Sequence, residues 1–137
     1  MKPDILKSGA IILRDKKLLI TKPASKDIWI FVGGKPEKNE TIEQALVREV
    51  KEELGVDVVG TPVFYLKSPI EPAAGNADGK TVQIFAFVTE VSGEPKASAE
   101  IEKIHWFSRE EFEENRFNLG SVLRDHAIPK LIADNKM

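Results

Sequence analysis

"GKPEKNETIEQALVREVKEELGV", residues 34 to 56, changes character at Thr41. Thr41 with Gln44 three residues on is the signature of a capping box, and Gly55 stands where a helix ends in a left-handed turn. Between them Ile42, Ala45, Leu46, Val50 and Leu54 recur at the spacing of one helical face, which predicts a helix from Thr41 to Leu54. Each helical residue advances by about 100°, so Glu49, Glu52 and Glu53 share an arc of about 100° that overlaps the apolar stripe. A purely solvated helix would place its acids on the opposite face, where Gln44 and Lys51 lie.

Three carboxylates so close together repel one another, and partial burial adds a desolvation cost. The C-terminal half of a helix is also the unfavourable end for anions. Local rules are broken together here, as they are at functional sites. A divalent cation removes the conflict, and hard oxygen donors suit Mg2+, with Mn2+ as a possible substitute. Arg48, placed i,i+4 to Glu52, offsets part of the repulsion and holds that carboxylate.

Outward from this helix the chain reads as one mixed α/β domain over residues 1–137. Residues 5–13 and 18–22 read as two strands joined by the polar turn 14–17, and "DIWIFV", 27–32, as a third extended run stopped by Gly33-Gly34. Two β-rich runs, 56–67 and 81–91, flank the Pro/Gly/Asn-rich loop "SPIEPAAGNADG", 68–79. "IEKIHWF", 101–107, is a last strand, and Ser108 with Glu111 caps a helix running to about Asn115. The tail from Ser121 has a helical pattern, with Pro129 as a kink or a fresh start.

Composition narrows the function. Twenty Lys and Arg against 22 Asp and Glu leave a net charge of −2, no footprint for a nucleic acid polymer or an anionic membrane. Without cysteine, a metal site must use oxygen or histidine. The apolar runs are too short to span a membrane, and "MKPDILKSG" lacks a signal-peptide core, so a cytoplasmic protein is expected.

The spacing Gly34, five residues, Glu40, seven residues, Arg48-Glu49-Val50, one residue, Glu52-Glu53, one residue, Gly55-Val56 resembles the complete Nudix box. That box is the signature of hydrolases cleaving a nucleoside diphosphate linked to another moiety. "LLITKPASKDIWIFVGGKPEKNET" is similar to the run before and into the box of MutT-like members, and "EIEKIHWFSREEF" to the segment closing many Nudix domains. Val32 departs from the proline that many relatives carry before the paired glycines.

The resemblance implies an α/β (α+β) fold, an α/β/α sandwich with a mixed β-sheet between helices. It implies that Glu52 and Glu53 are the principal metal ligands and that Glu49 binds metal or acts as general base, with Arg48 orienting it. The Gly33 carbonyl would add a ligand, and an acid from a distant loop would complete the site, Glu100 ahead of Glu102. Lys22, Gly34 and Glu40 are expected on the substrate side, Lys22 against phosphate and Glu40 bracing the loop–helix junction.

The expected reaction is Mg-dependent pyrophosphohydrolysis of a small-molecule nucleotide, a (deoxy)nucleoside triphosphate first, by a monomer or homodimer. Alternatives are hydrolysis of ADP-ribose, another nucleotide sugar or a dinucleoside polyphosphate, and a Nudix module that senses a nucleotide without cleaving it. Trp29, Trp106, Phe31 and Phe85 read as core, His105 and His126 as structural or surface residues, and Lys35 as a surface lysine. Asn118, a tempting reader of a purine edge, sits in uncertain register and is left unassigned.

Overall fold

The computed structural model describes residues 2–73 and 78–137, and its strands fall into two sheets. In the first, β1 (Ile5–Ile11) runs parallel to β6 (Thr81–Ser92). The other edge of β6 pairs antiparallel with β4 (Asp57–Lys67) and with the two-residue β5 (Glu71–Pro72). In the second, β2 (Leu13–Arg14), β3 (Lys17–Pro23) and β7 (Ile101–Phe107) are antiparallel.

The run 5–13 is therefore two strands, since the chain leaves the first sheet after Ile11 and enters the second at Leu13. Asp15 and Lys16, both left-handed at φ 52° and 60°, close the two-residue hairpin from β2 to β3. "DIWIFV" is extended but pairs only at single points, Trp29 with Leu119, Ile30 with Thr21 and Val32 with Ala10. It crosses from the second sheet to the first, so neither sheet offers it a continuous partner. The loop 68–79 contains β5, and its residues 74–77 lie outside the described residues.

α1 (Ile42–Leu54) forms as its caps require. Thr41 Oγ1 accepts from the Gln44 N–H at 3.0 Å, the Gln44 side chain accepts from the Thr41 N–H at 2.8 Å, and Gly55 turns left-handed at φ 68°. α2 (Arg109–Glu114) carries the second predicted capping box. Near the C-terminus a π-helical turn, Leu123–Ala127, runs into α3 (Ile128–Ala133). Pro129 has no N–H to offer the carbonyl of Asp125, and the widened turn before α3 absorbs the missing bond.

Strand alternation sends Ala10, Ile12 and Leu19 towards Leu46, Val50 and Leu54 of α1. Ile11, Leu18 and Ile20 point the other way, towards Leu123, Ile128 and Leu131. The sheets thus lie between α1 and the C-terminal helices, the sandwich expected above. Among the described residues no helix is long and apolar enough to cross a membrane.

Leu46→Ala empties a fully buried position and should cost about 2–5 kcal/mol in denaturant unfolding. Val47→Ala, at an exposed position on the same helix, should stay within about 0.5 kcal/mol.

Candidate active site

Two glycines open the loop that leads from the run 27–32 into α1, and they lie against β1. Gly33 has a φ of 145°, and a Cβ there would stand 2.1 Å from the Ser8 carbonyl oxygen, so no larger residue fits. Its N–H donates to Glu53 Oε1 at 3.0 Å. The next carbonyl, of Gly34, accepts from the Ser8 N–H at 3.0 Å, which ties the loop to β1. A Cβ at Gly34 would stand 2.7 Å from the Glu49 carboxyl carbon, so this glycine leaves room for a carboxylate.

Glu49, Glu53 and Glu100 each bring one carboxylate oxygen within 4.8 Å of the others. Glu53 is only 6% exposed. Burial pushes its carboxyl up to about 8; the Gly33 N–H opposes this, and the Glu49 and Glu100 charges add to it. Burial also raises Glu49, against the pull of Arg48. A compact set of hard oxygen donors that repel one another fits a divalent cation. Glu52 is not brought into this group: its side chain is 53% exposed and lies 3.6 Å from Arg48 Nη1.

Arg48 organises the rim. Its Nε and Nη2 donate to the two oxygens of Glu40, each at 2.9 Å, its Nη1 donates to Glu49 Oε1 at 2.7 Å, and Nη2 also reaches the Lys35 carbonyl. The fork onto Glu40 holds that carboxyl down at about 2, and Glu40 in turn accepts from the Glu37 N–H. Glu40 therefore braces the loop–helix junction, and Arg48 orients Glu49 directly.

Of the two distant acids, Glu100 joins the group while Glu102 pairs with Lys22 at 3.3 Å. The lysines that line the adjoining pocket are Lys7 and Lys26. Sequence reasoning missed both; the signal was Lys7 falling on the same face of β1 as Ile5, which also lines the pocket. Gly33 lines the pocket together with Ile30, Phe31, Ile84, Val122 and Leu123, so Phe31 is both core and pocket wall.

Trp29 packs on Phe117 and His105, while Trp106 lies under Arg14. His105 pairs with Glu111 and His126 with Glu71. Asn118 donates to the Asp27 carbonyl and does not line the pocket.

The sequence pattern of the NUDIX domain matches residues 6–126, and the chain belongs to that family. CTP pyrophosphohydrolase of Escherichia coli (strain K12) is 52% identical over 53 residues, 36% of this chain and 39% of that protein. ADP-ribose pyrophosphatase of Methanocaldococcus jannaschii is 28% identical over 120 residues, 85% of this chain and 69% of that protein. The match thus spans about two fifths of the first relative's length. The solution structure of the E. coli ORF135 protein is similar at a TM-score of 0.69 and 30% identity, over 95% of this chain and 91% of that one.

The raised carboxyl of Glu53 sets a pH dependence of stability in EDTA. Below its ordinary value of 4.5 the residue is protonated folded and unfolded, and burial costs little. Between 4.5 and about 8 the unfolded chain releases the proton and the folded chain keeps it, so stability should fall as pH rises and level off above that range. The loss should be on the order of a few kcal/mol in denaturant melts, absent in Glu53→Gln and reversed in the parent by Mg2+.

Proposed function

We propose that this chain is a Mg2+-dependent pyrophosphohydrolase of small nucleotides, with a (deoxy)nucleoside triphosphate as the first candidate substrate. The observation that carries this reading is the meeting of Glu49, Glu53 and Glu100, with Gly33 both bonded to Glu53 and lining a largely apolar pocket. In it the three carboxylates hold the cation, and Mn2+ substitutes for Mg2+. Glu52, on the exposed side of α1, and the Gly33 carbonyl serve as further ligands. A bound divalent cation supplies neutralisation of phosphate charge and acidification of water.

The protein's own groups do the rest. Glu49, held by Arg48 and partly withdrawn from solvent, accepts the proton of the attacking water. Glu40 keeps Arg48 in place through two hydrogen bonds, which limits the rotamers open to Glu49. The apolar walls hold the nucleoside and keep bulk water from the scissile anhydride. The same reading makes the chain a single cytoplasmic domain, active as a monomer or homodimer.

The relative named ADP-ribose pyrophosphatase matches along 85% of this chain, which makes ADP-ribose the second candidate. A panel of nucleoside triphosphates, nucleotide sugars and dinucleoside polyphosphates with Mg2+ separates the two by their products. Monophosphate and pyrophosphate should appear from a triphosphate, and a panel left intact would sink the reading. Glu53→Gln should lower kcat by at least ~10²-fold with no loss of stability. Glu100→Gln should lower it by at least ~10-fold and Glu102→Gln by less than ~3-fold, which tests the choice between the two acids.

A further inference from the structure

Lys7 is an odd residue to find where it is. It lies on β1 between Leu6 and the buried Ser8, and its side chain is partly buried along the pocket wall. Lys26 lines the same pocket from the loop after β3, close enough for its charge to oppose that of Lys7, and Lys35 adds to this repulsion. Burial works against the Lys7 ammonium more than any neighbour does, while Glu53 and Glu49 favour it from the adjoining carboxylate group. Among the described residues Lys7 makes no ion pair, and its Nζ no hydrogen bond. A lysine withdrawn from water and set beside other ammonium groups without a paired carboxylate is stabilised by an anion.

The position of the pocket says which anion. Gly33 belongs to both features, lining the pocket and donating its N–H to Glu53. Lys7 lines the same pocket and feels the charges of Glu53 and Glu49, so a ligand reaching from the apolar walls towards the carboxylates has its ammonium alongside. In the reading above, the part of the substrate between nucleoside and cation is the phosphate chain. Lys22, the basic residue expected against phosphate, is tied to Glu102 and does not line this pocket.

We propose that Lys7 binds the phosphate chain of the substrate from the pocket side, opposite the carboxylates, with Lys26 in support. Its ammonium donates to non-bridging phosphate oxygens, and the charge is most useful where burial has removed competing water. This rests on the pyrophosphohydrolase reading but is tested by binding, which needs no turnover.

Isothermal titration with Mg2+ present compares two probes, CMP and the non-hydrolysable α,β-methylene analogue of CTP. The parent should bind the triphosphate analogue at least ~10-fold more tightly than CMP, the scale of a charge-assisted hydrogen bond. In Lys7→Met that advantage should fall below ~3-fold with the CMP affinity unchanged, and Lys7→Arg should restore it. In turnover, Lys7→Met should raise KM by ~10-fold and change kcat by less than ~3-fold. Lys7→Gln serves the same comparison if the methionine variant misfolds. An undiminished advantage in the folded variants, or none in the parent, overturns the proposal. A parent that binds as expected but hydrolyses nothing keeps this site and loses the reaction.

Discussion

A carboxylate buried on the apolar face of a helix is the constraint around which this molecule is arranged. Glu53 lies between Val50 and Leu54 and is as withdrawn from water as its apolar neighbours. The Gly33 N–H gives it one hydrogen bond, less than a buried carboxylate needs to remain charged. That bond requires the loop entering α1 to come so close to Ser8 of β1 that only glycine fits at position 33. The crossing of the run 27–32 between the sheets delivers the loop to that place, with Val32 paired to Ala10 just before the glycines.

Around this fixed point the rim is held by charge. Arg48 spends three donor atoms on two carboxylates and a carbonyl, so Glu49 is presented by a side chain that is itself braced. The Glu40 contact spans the turn before α1, so the conformation of the loop and the direction of Glu49 are one property. Such bracing explains how Glu49 and Glu53 keep one geometry although they repel one another, while Glu100 joins them from an exposed position.

Local signals made much of this legible in the sequence. Both capping boxes and the stop at Gly55 depend on side chains within four residues, and they are found where expected. The angular position of the acids also held the order of their burial. Glu53 is nearest the centre of the apolar stripe and is buried, Glu49 is intermediate, and Glu52 at the far edge is exposed. What stayed hidden depends on long-range register. The resemblance favours Glu100 over Glu102, but the one-residue slip of β3 against β7 between Lys22 and Pro23, beside these two acids, has no local signal. The surroundings of Lys7 in the pocket wall depend on the parallel pairing of β1 with β6, which brings Val82 and Ile84 beside it.

The site brings unlike charges near each other without letting them neutralise. Glu53 is tethered by a backbone N–H and Glu49 by Arg48, while Lys7 sits on a strand whose backbone is fixed by β6. A direct Lys7–Glu53 pair would relieve both desolvation costs, yet among the described residues no such pair forms, and each group feels the other's charge only at a distance. The carboxylate group on one side of Gly33 and the ammonium groups lining the pocket on the other form an order of charge that a cation followed by an anion would complete. In the proposed reading a metal–phosphate ion pair would fill that order, with every charge beside its opposite. Either half alone leaves one repulsion standing, so cation and phosphate should strengthen each other's binding, by the reciprocity that any coupled pair of ligands obeys.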